Sequence, residues 1–243
     1  MENTLVCGWD LETTGTSPTQ DLPVQVGMAM RLYANGSYTD HEGINMLCNP
    51  GKPIDPGAAA VHGITDAQVA NAPSSYEVLN YLATMIAYYA QGREAYVCTY
   101  NGAAFDAPMA EAVLGRPAFT IPHIDVLRLI RHQFPEVRGS LGGKKLGEMH
   151  EVFVGRPLQN AHDAVADIRG TLDLLDALLR LTGRSLADIS EEQKNPKVYE
   201  VLPLGKYIGR PIEEVPRSWA QFLASKGDLD PDLRATVNAI LAR

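Results

Sequence analysis

The sequence predicts a mixed α/β sheet, with a small α+β unit at its C-terminal end. Three observations carry this. Strand-like segments come first and in succession, helical and strand-like patterns alternate after them, and a separate set of apolar positions follows a polar stretch near the C-terminus.

The first strand is "TLVCGWDLE" (residues 4–12), the second "VQVGMAMRLY" (24–33) and the third "DHEGINMLCN" (40–49). Between the second and third lies "ANGSYT", whose Asn35-Gly36 pair is a hairpin turn signal. "NPGKPIDPGAAAVHGITDAQV", rich in Pro and Gly, reads as a loop. In "SSYEVLNYLATMIAYYAQG", Val78, Leu79, Leu82, Met85, Ile86 and Tyr89 recur at helical spacing, and Gly92 follows as a stop. "EAYVCTYN" reads as a fourth, buried strand, "AFDAPMAEAVLG" as a short helix ended by Gly115, and "IPHIDVLRLIRH" as a fifth strand running into a helix. The strongest helix is "AHDAVADIRGTLDLLDALLRLTG", with Val165, Ile168, Leu172, Leu175 and Leu179 in one stripe and Gly183 as its cap. "RSLADISEEQKNPKV" is polar and charged, as a linker would be. The expected division is therefore 1–183, a linker at 184–199, and a small unit at 200–243.

The chain has 243 residues and a formal net charge of −8, which argues against coating nucleic acid through a broad basic surface, though not against gripping a strand end in a cleft. No apolar run approaches a membrane span, and "MENTLVCGWD" lacks the basic and apolar regions of a secretory signal. Cys7, Cys48 and Cys98 lie far apart in apolar segments, so free buried thiols in a reducing, cytoplasmic compartment are expected.

Asp10 and Glu12 stand two apart on the first strand and so share a face. Two carboxylates beside "TLVCGW" are costly unless something positive lies between them. Asp106 opens a helix after the fourth strand, and His162 and Asp167 open the Leu-rich helix. Taken singly, the last three have ordinary explanations: a first-turn acid, a loop histidine, a solvated helix face.

Together they carry a resemblance. "DLETTG" (10–15), "HGIT" (62–65), "NGAAFD" (101–106) and "HDAVAD" (162–167) occur in the order and spacing of the DEDDh 3′–5′ exonucleases, whose members include the epsilon proofreading subunit, RNase T, oligoribonuclease and exonuclease X. The resemblance spans residues 4–183 and implies an RNase H-like fold, a five-stranded mixed sheet flanked by helices, which the order of elements read above fits. It implies that Asp10, Glu12, Asp106 and Asp167 hold two divalent ions, Mg²⁺ or Mn²⁺, and that His162 is the general base. It also implies that Thr13, Thr14, Gly15 and His62 line the pocket of the terminal nucleotide, with Asn101 and Phe105 as wall residues. The implied partner is a nucleic acid 3′ end, single-stranded DNA first, and the implied product a nucleoside 5′-monophosphate. An RNA 3′-end trimmer uses the same core, and a non-catalytic scaffold is the reading from another class; the intact acids and histidine argue against the scaffold.

"GSLGGKK" (139–145) is one residue short of a phosphate loop and has Lys145 where Ser or Thr is needed, so it reads as a flexible loop near the substrate backbone. Asp163 reads as a helix N-cap, and Asp125 is not expected to be a ligand. "LPLGKYIGRPIEEVPRSWAQFLASKGDLDPDLRATVNAIL" is similar to a small module after the nuclease domain of exonuclease X-like proteins. Lys206 and Arg210 flank Tyr207 there, while "GDLDPDLR" is acidic and would repel phosphate.

Overall fold

A computed structural model describes residues 3–41, 43–137, 144–159, 163–226 and 229–243. β1 (Thr4–Thr13) and β2 (Pro23–Ala34) pair antiparallel over nearly their whole length. The turn after β2 puts Asn35 at φ 51° and Gly36 at φ 76°, the left-handed pair that an Asn-Gly hairpin needs. It leads to β3 (Ser37–Asp40), then β4 (Ile44–Leu47).

Here the structure departs from the five strands expected. The third strand is two strands, both antiparallel to β2, and the sheet has six among the described residues. Asp40 lies opposite Arg31 and Ile44 opposite Met28, so the two stretches pair with β2 in different registers. The change of register divides the edge into two strands. β1 occupies the other edge of β2, so β3 and β4 share one edge position.

The segment read as a loop contains α1 (Pro56–His62) and α2 (Asp66–Val69). Asp55 caps α1, with Pro56 in its first turn, a start signal in the sequence. α3 (Ser75–Ala90) begins at a Ser74–Glu77 capping box, β5 (Glu94–Thr99) runs parallel to β1, and α4 (Asp106–Leu114) ends at Gly115 in the left-handed region. β6 (His123–Asp125) runs parallel to β5 and passes directly into α5 (Val126–Gln133). α6 (Leu146–Val154) and α7 (Ala164–Thr182, capped by Gly183) follow.

One apolar cluster, with Leu5, Cys7, Trp9 and Leu11 of β1, packs under α3 and α4. A second, with Val6 and Cys98, packs under α5, α6 and α7 on the opposite face. The expected linker is α8 (Leu186–Lys194), and its Leu186 and Ile189 are buried in that second cluster. The segment is therefore a packed helix over part of its length; its charged residues Asp188, Glu191 and Lys194 are exposed, which is why composition alone suggested a tether.

The C-terminal unit has its own apolar cluster around Leu202, Ile212, Val215, Leu223, Val237 and Ile240, built by a 3-10 turn (Ile212–Glu214), α9 (Arg217–Ala224) and α10 (Pro231–Leu241). It docks on α5. Arg128 makes a bidentate pair with Asp232, at 2.8 Å for each bond, His132 Nε2 lies 2.8 Å from the same carboxylate, and Arg131 pairs with Asp230. His132 stacks on Tyr199 with ring centroids 4.6 Å apart.

Candidate active site

Side chains of β1 alternate between the two faces. Leu5, Cys7, Trp9 and Leu11 point toward α3, so Gly8, Asp10 and Glu12 share the face that α7 covers. Glycine is required where that helix lands. A Cβ on Gly8 would lie 2.2 Å from Ile168 Cγ2, and one on Gly27, opposite Asp10 in the ladder, 2.7 Å from the Cβ of Ala164. The first turns of α7 thus rest directly on the sheet, which lowers Asp167 to the level of the β1 carboxylates. Asp163 caps α7 by accepting from Ala166 N at 3.0 Å, and Asn45 Nδ2 of β4 donates to the same carboxylate at 3.1 Å.

Carboxylate oxygens of Asp10, Glu12 and Asp167 all lie within 4.8 Å of one another. Asp106, the first residue of α4, is buried beside them, its Oδ1 accepting from Leu11 N at 3.1 Å. Burial, and then the charges of Asp106, Glu12 and Asp167, hold the Asp10 carboxyl well above the usual range. Glu12 is pushed up to about 7 by burial and by Asp167, Asp106 and Asp163, and Asp106 to about 7 chiefly by burial. Such a cluster is stable when ionised only if cations join it. Its donors are all carboxylate oxygens, with no thiolate or imidazole among the described residues, the ligand set that hard divalent ions prefer. The donor set therefore fits the ions that the sequence implies.

The other expected site residues have diverse placements. His162 lies outside the described residues. Thr14 is 1% exposed; its hydroxyl donates to Asp21 Oδ1 at 2.8 Å and accepts from Leu22 N at 3.1 Å. Thr13 Oγ1 donates to Gly15 O at 2.7 Å, and a Cβ on Gly15 would meet Asp21 Oδ2 at 2.5 Å. His62 Nδ1 accepts from Ile64 N at 3.0 Å, so the ring proton sits on Nε2, which donates to Thr13 O at 3.2 Å. These side chains are occupied in shaping the exit of β1. Asn101, at φ 65°, and Phe105, the N-cap of α4, stand on the loop that carries Asp106. Most of the 139–145 loop lies outside the described residues, but Lys144 Nζ is tied to the carbonyls of Phe134 and Val137, so its charge is spent inside the protein.

One positioning residue was missed as such. Asp125 is 1% exposed, and its carboxylate accepts from Asn101 N at 3.1 Å and Ala103 N at 3.0 Å as well as from Leu127 N and Arg128 N. It caps α5 and at the same time holds the Asp106 loop. Its place after a short strand signals the cap; the loop contacts are tertiary and leave no local signal.

Residues 8–175 match the family RNase_T, described as exonuclease. The chain belongs to that exonuclease family. It is 34% identical over 178 residues to the "DNA polymerase III subunit epsilon-like protein" of Rhodobacter capsulatus, a match over 71% of this chain and 23% of that protein. It is 26% identical over 200 residues to "Exodeoxyribonuclease 10" of Escherichia coli strain K12, covering 80% of this chain and 83% of that protein. The chain thus spans less than a quarter of the first relative and most of the second. Among solved structures, exonuclease X in complex with 5′ overhanging duplex DNA superposes with a TM-score of 0.57 at 22% identity, over 76% of this chain and 98% of that one. The zinc-bound E. coli exonuclease I–ssDNA complex superposes at 0.62 and 19% identity, over 80% of this chain and 44% of that one. These likenesses establish the fold, a mixed sheet of the RNase H-like exonuclease type. Among the described residues no helix is long and apolar enough to cross a membrane.

Proposed function

We propose that this exonuclease hydrolyses DNA from the 3′ end and releases nucleoside 5′-monophosphates. The observation that carries the reading is the convergence of Asp10, Glu12 and Asp167 beside Asp106 in a chain of the exonuclease family. The names of its relatives, an exodeoxyribonuclease and a DNA polymerase subunit-like protein, favour DNA over RNA.

In this proposal the four carboxylates hold two Mg²⁺ or Mn²⁺ ions, which when bound stabilise the attacking and leaving oxygens of an in-line displacement at phosphorus. His162 takes the proton of the attacking water. The bond between phosphorus and the 3′ oxygen of the penultimate nucleotide breaks, and that oxygen leaves as the new 3′ hydroxyl. The terminal nucleotide lies against Gly15, the backbone of Thr13 and Thr14, and the Asn101–Phe105 loop, with His62 keeping the strand exit in place. Cys7, Cys48 and Cys98 are buried free thiols, which suits a reducing cytoplasmic location.

The test is degradation of end-labelled single-stranded DNA, duplex DNA and RNA with Mg²⁺ and with EDTA. A 3′ label should appear first as mononucleotide while a 5′ label forms a shrinking ladder, and EDTA should stop both. The reverse pattern would overturn the polarity, and faster loss of RNA would overturn the substrate.

A further inference from the structure

The acidic look of the C-terminal unit is misleading. Residues 200–243 contain six basic and six acidic side chains. Two of the acids, Asp230 and Asp232, are 1% and 0% exposed and are matched by Arg131 and Arg128 of α5. The docking seam therefore absorbs two of the six acids, and the rest of the unit is left with six basic against four acidic side chains. That excess coincides with aromatic rings. Trp219 and Phe222 of α9 stack at 4.9 Å and 27°, and Tyr207 meets Trp219 edge-on at 5.7 Å. Lys226 Nζ stands 4.9 Å from the Phe222 ring centroid and Lys206 Nζ 5.5 Å from that of Tyr207. Both lysines are exposed, and among the described residues neither pairs with a carboxylate; Arg210, nearby in sequence, has Glu214 at 3.8 Å.

These rings are not all needed for folding. Tyr207 and Trp219 pack on the apolar cluster of the unit, but Phe222 does not belong to it and is 44% exposed. A stacked aromatic pair with one ring in water and two exposed ammonium groups beside it is the equipment of a single-strand binder. A nucleobase stacks on the ring, displaces the lysine from it, and leaves the ammonium to meet the adjoining phosphate. The unit is also linked to the catalytic loop through α5: Asp125 accepts from Asn101 N and Ala103 N of that loop and caps the helix whose Arg128 and Arg131 pair with Asp232 and Asp230.

We propose that Phe222, Trp219 and Tyr207, with Lys206 and Lys226, form a second contact for single-stranded nucleic acid, on the part of the strand that trails away from the 3′ end. This rests on the proposed nuclease reading. The experiment measures Kd for fluorescein-labelled oligothymidylates of about 4 and about 20 nucleotides, with Ca²⁺ replacing Mg²⁺ to block turnover, over a range of salt concentrations. The proteins are the full chain, Phe222→Ala, and the Lys206→Ala/Lys226→Ala pair. Each variant should bind the long strand at least about fivefold more weakly, the lysine variant with a shallower salt slope. Binding and hydrolysis of the short strand and the Tm should stay as in the wild type. Lys206→Glu/Lys226→Glu, which removes no apolar surface, should weaken long-strand binding further. Equal affinities and salt slopes for wild type and all variants would overturn the inference while leaving the nuclease reading intact. A wild type that neither binds nor cuts either strand would instead remove the reading on which it rests.

Discussion

Two sets of acidic side chains in this molecule have opposite surroundings. Asp232, at the start of α10, is completely buried and receives bonds from Arg128, His132 and Lys197 N. Burial pushes its carboxyl up, but the bonds from His132 and Arg128 outweigh that and hold it below the ordinary carboxylate value. Asp230 has one arginine and two backbone donors, Asp232 N and Leu233 N, and there burial still wins, leaving its carboxyl raised. Asp10 and Glu12 face other carboxylates, and no lysine or arginine pairs with them among the described residues. Desolvation pushes all four carboxyls up; what differs is whether the chain supplies the countercharge. At the docking seam it does, and the acids act as fasteners. At the end of β1 it does not, and the acids wait for a cation from solution.

The largest effect expected from this contrast is at Asp10. Asp10→Asn should lower turnover by about four orders of magnitude or more, since in the proposed function it helps to hold ions that would supply several kcal/mol of transition-state stabilisation. In metal-free buffer its Tm should equal or exceed that of the wild type, because one of the repelling charges has gone. In the wild type, saturating Mn²⁺ should raise Tm by roughly 5–10 °C at a hundredfold excess over its Kd, and in the variant by much less. Near-normal turnover, or a metal-free Tm well below wild type, would break the comparison at its first term. His162→Ala comes next. It should cost on the order of 10²–10⁴ in rate and leave the Mn²⁺-induced rise in Tm, since His162 is assigned a proton and not an ion. Loss of that rise would make His162 a ligand.

What the sequence made legible follows the same division. Asp10 and Glu12 announce themselves because two residues on one strand must share a face, and Asp106 and Asp167 stand in short motifs of fixed spacing. The glycines that let α7 reach them do not. The need for a missing Cβ at Gly8 and Gly27 depends on where a helix more than a hundred residues further along the chain comes to rest. The seam was hidden for the same reason. "GDLDPDLR" looks like a solvated acidic run until α5, about a hundred residues earlier, places Arg128 and Arg131 against it. The change of register between β3 and β4 is a one-residue matter, below the grain of an apolar pattern.

Asp232 tests the other side of the contrast. Asp232→Asn leaves Arg128 buried with a neutral partner, and breaking a buried pair from one side costs about 3–5 kcal/mol. Its Tm should fall accordingly, while ion binding at the β1 cluster is kept. The pH dependence has a definite sign. A carboxyl held below its unfolded value of about 3.9 stabilises the fold above that pH, and the contribution fades as pH falls toward the folded value. The wild type should therefore lose Tm more steeply than Asp232→Asn between about pH 5 and pH 3. Parallel Tm profiles would mean that the seam does not depend on this charge.

The smallest effect, and the most informative, is expected at Asp125, which touches both regions. Its carboxylate fixes the Asp106 loop through Asn101 N and Ala103 N and caps the helix that carries Arg128, Arg131 and His132. Gln193 of α8 clamps its backbone, donating to Asp125 O at 2.9 Å and accepting from Asp125 N at 2.8 Å. Asp125→Asn keeps the shape but replaces one acceptor oxygen by a donor, so one set of N–H groups loses its partner. Hydrogen bonds to a charged group contribute about 1.5–3 kcal/mol, and a loss of that order should appear in the Tm. If the carboxylate served only the helix cap, kcat measured well below the Tm would be unchanged. As a positioning residue for Asp106 it should instead lower kcat, by up to about 10² for a displacement near 1 Å, with KM little altered and the Mn²⁺-induced rise in Tm reduced. A lower Tm with an unchanged kcat would assign Asp125 to the C-terminal side alone, and would leave the Asp106 loop to be held by the strand and helix that flank it.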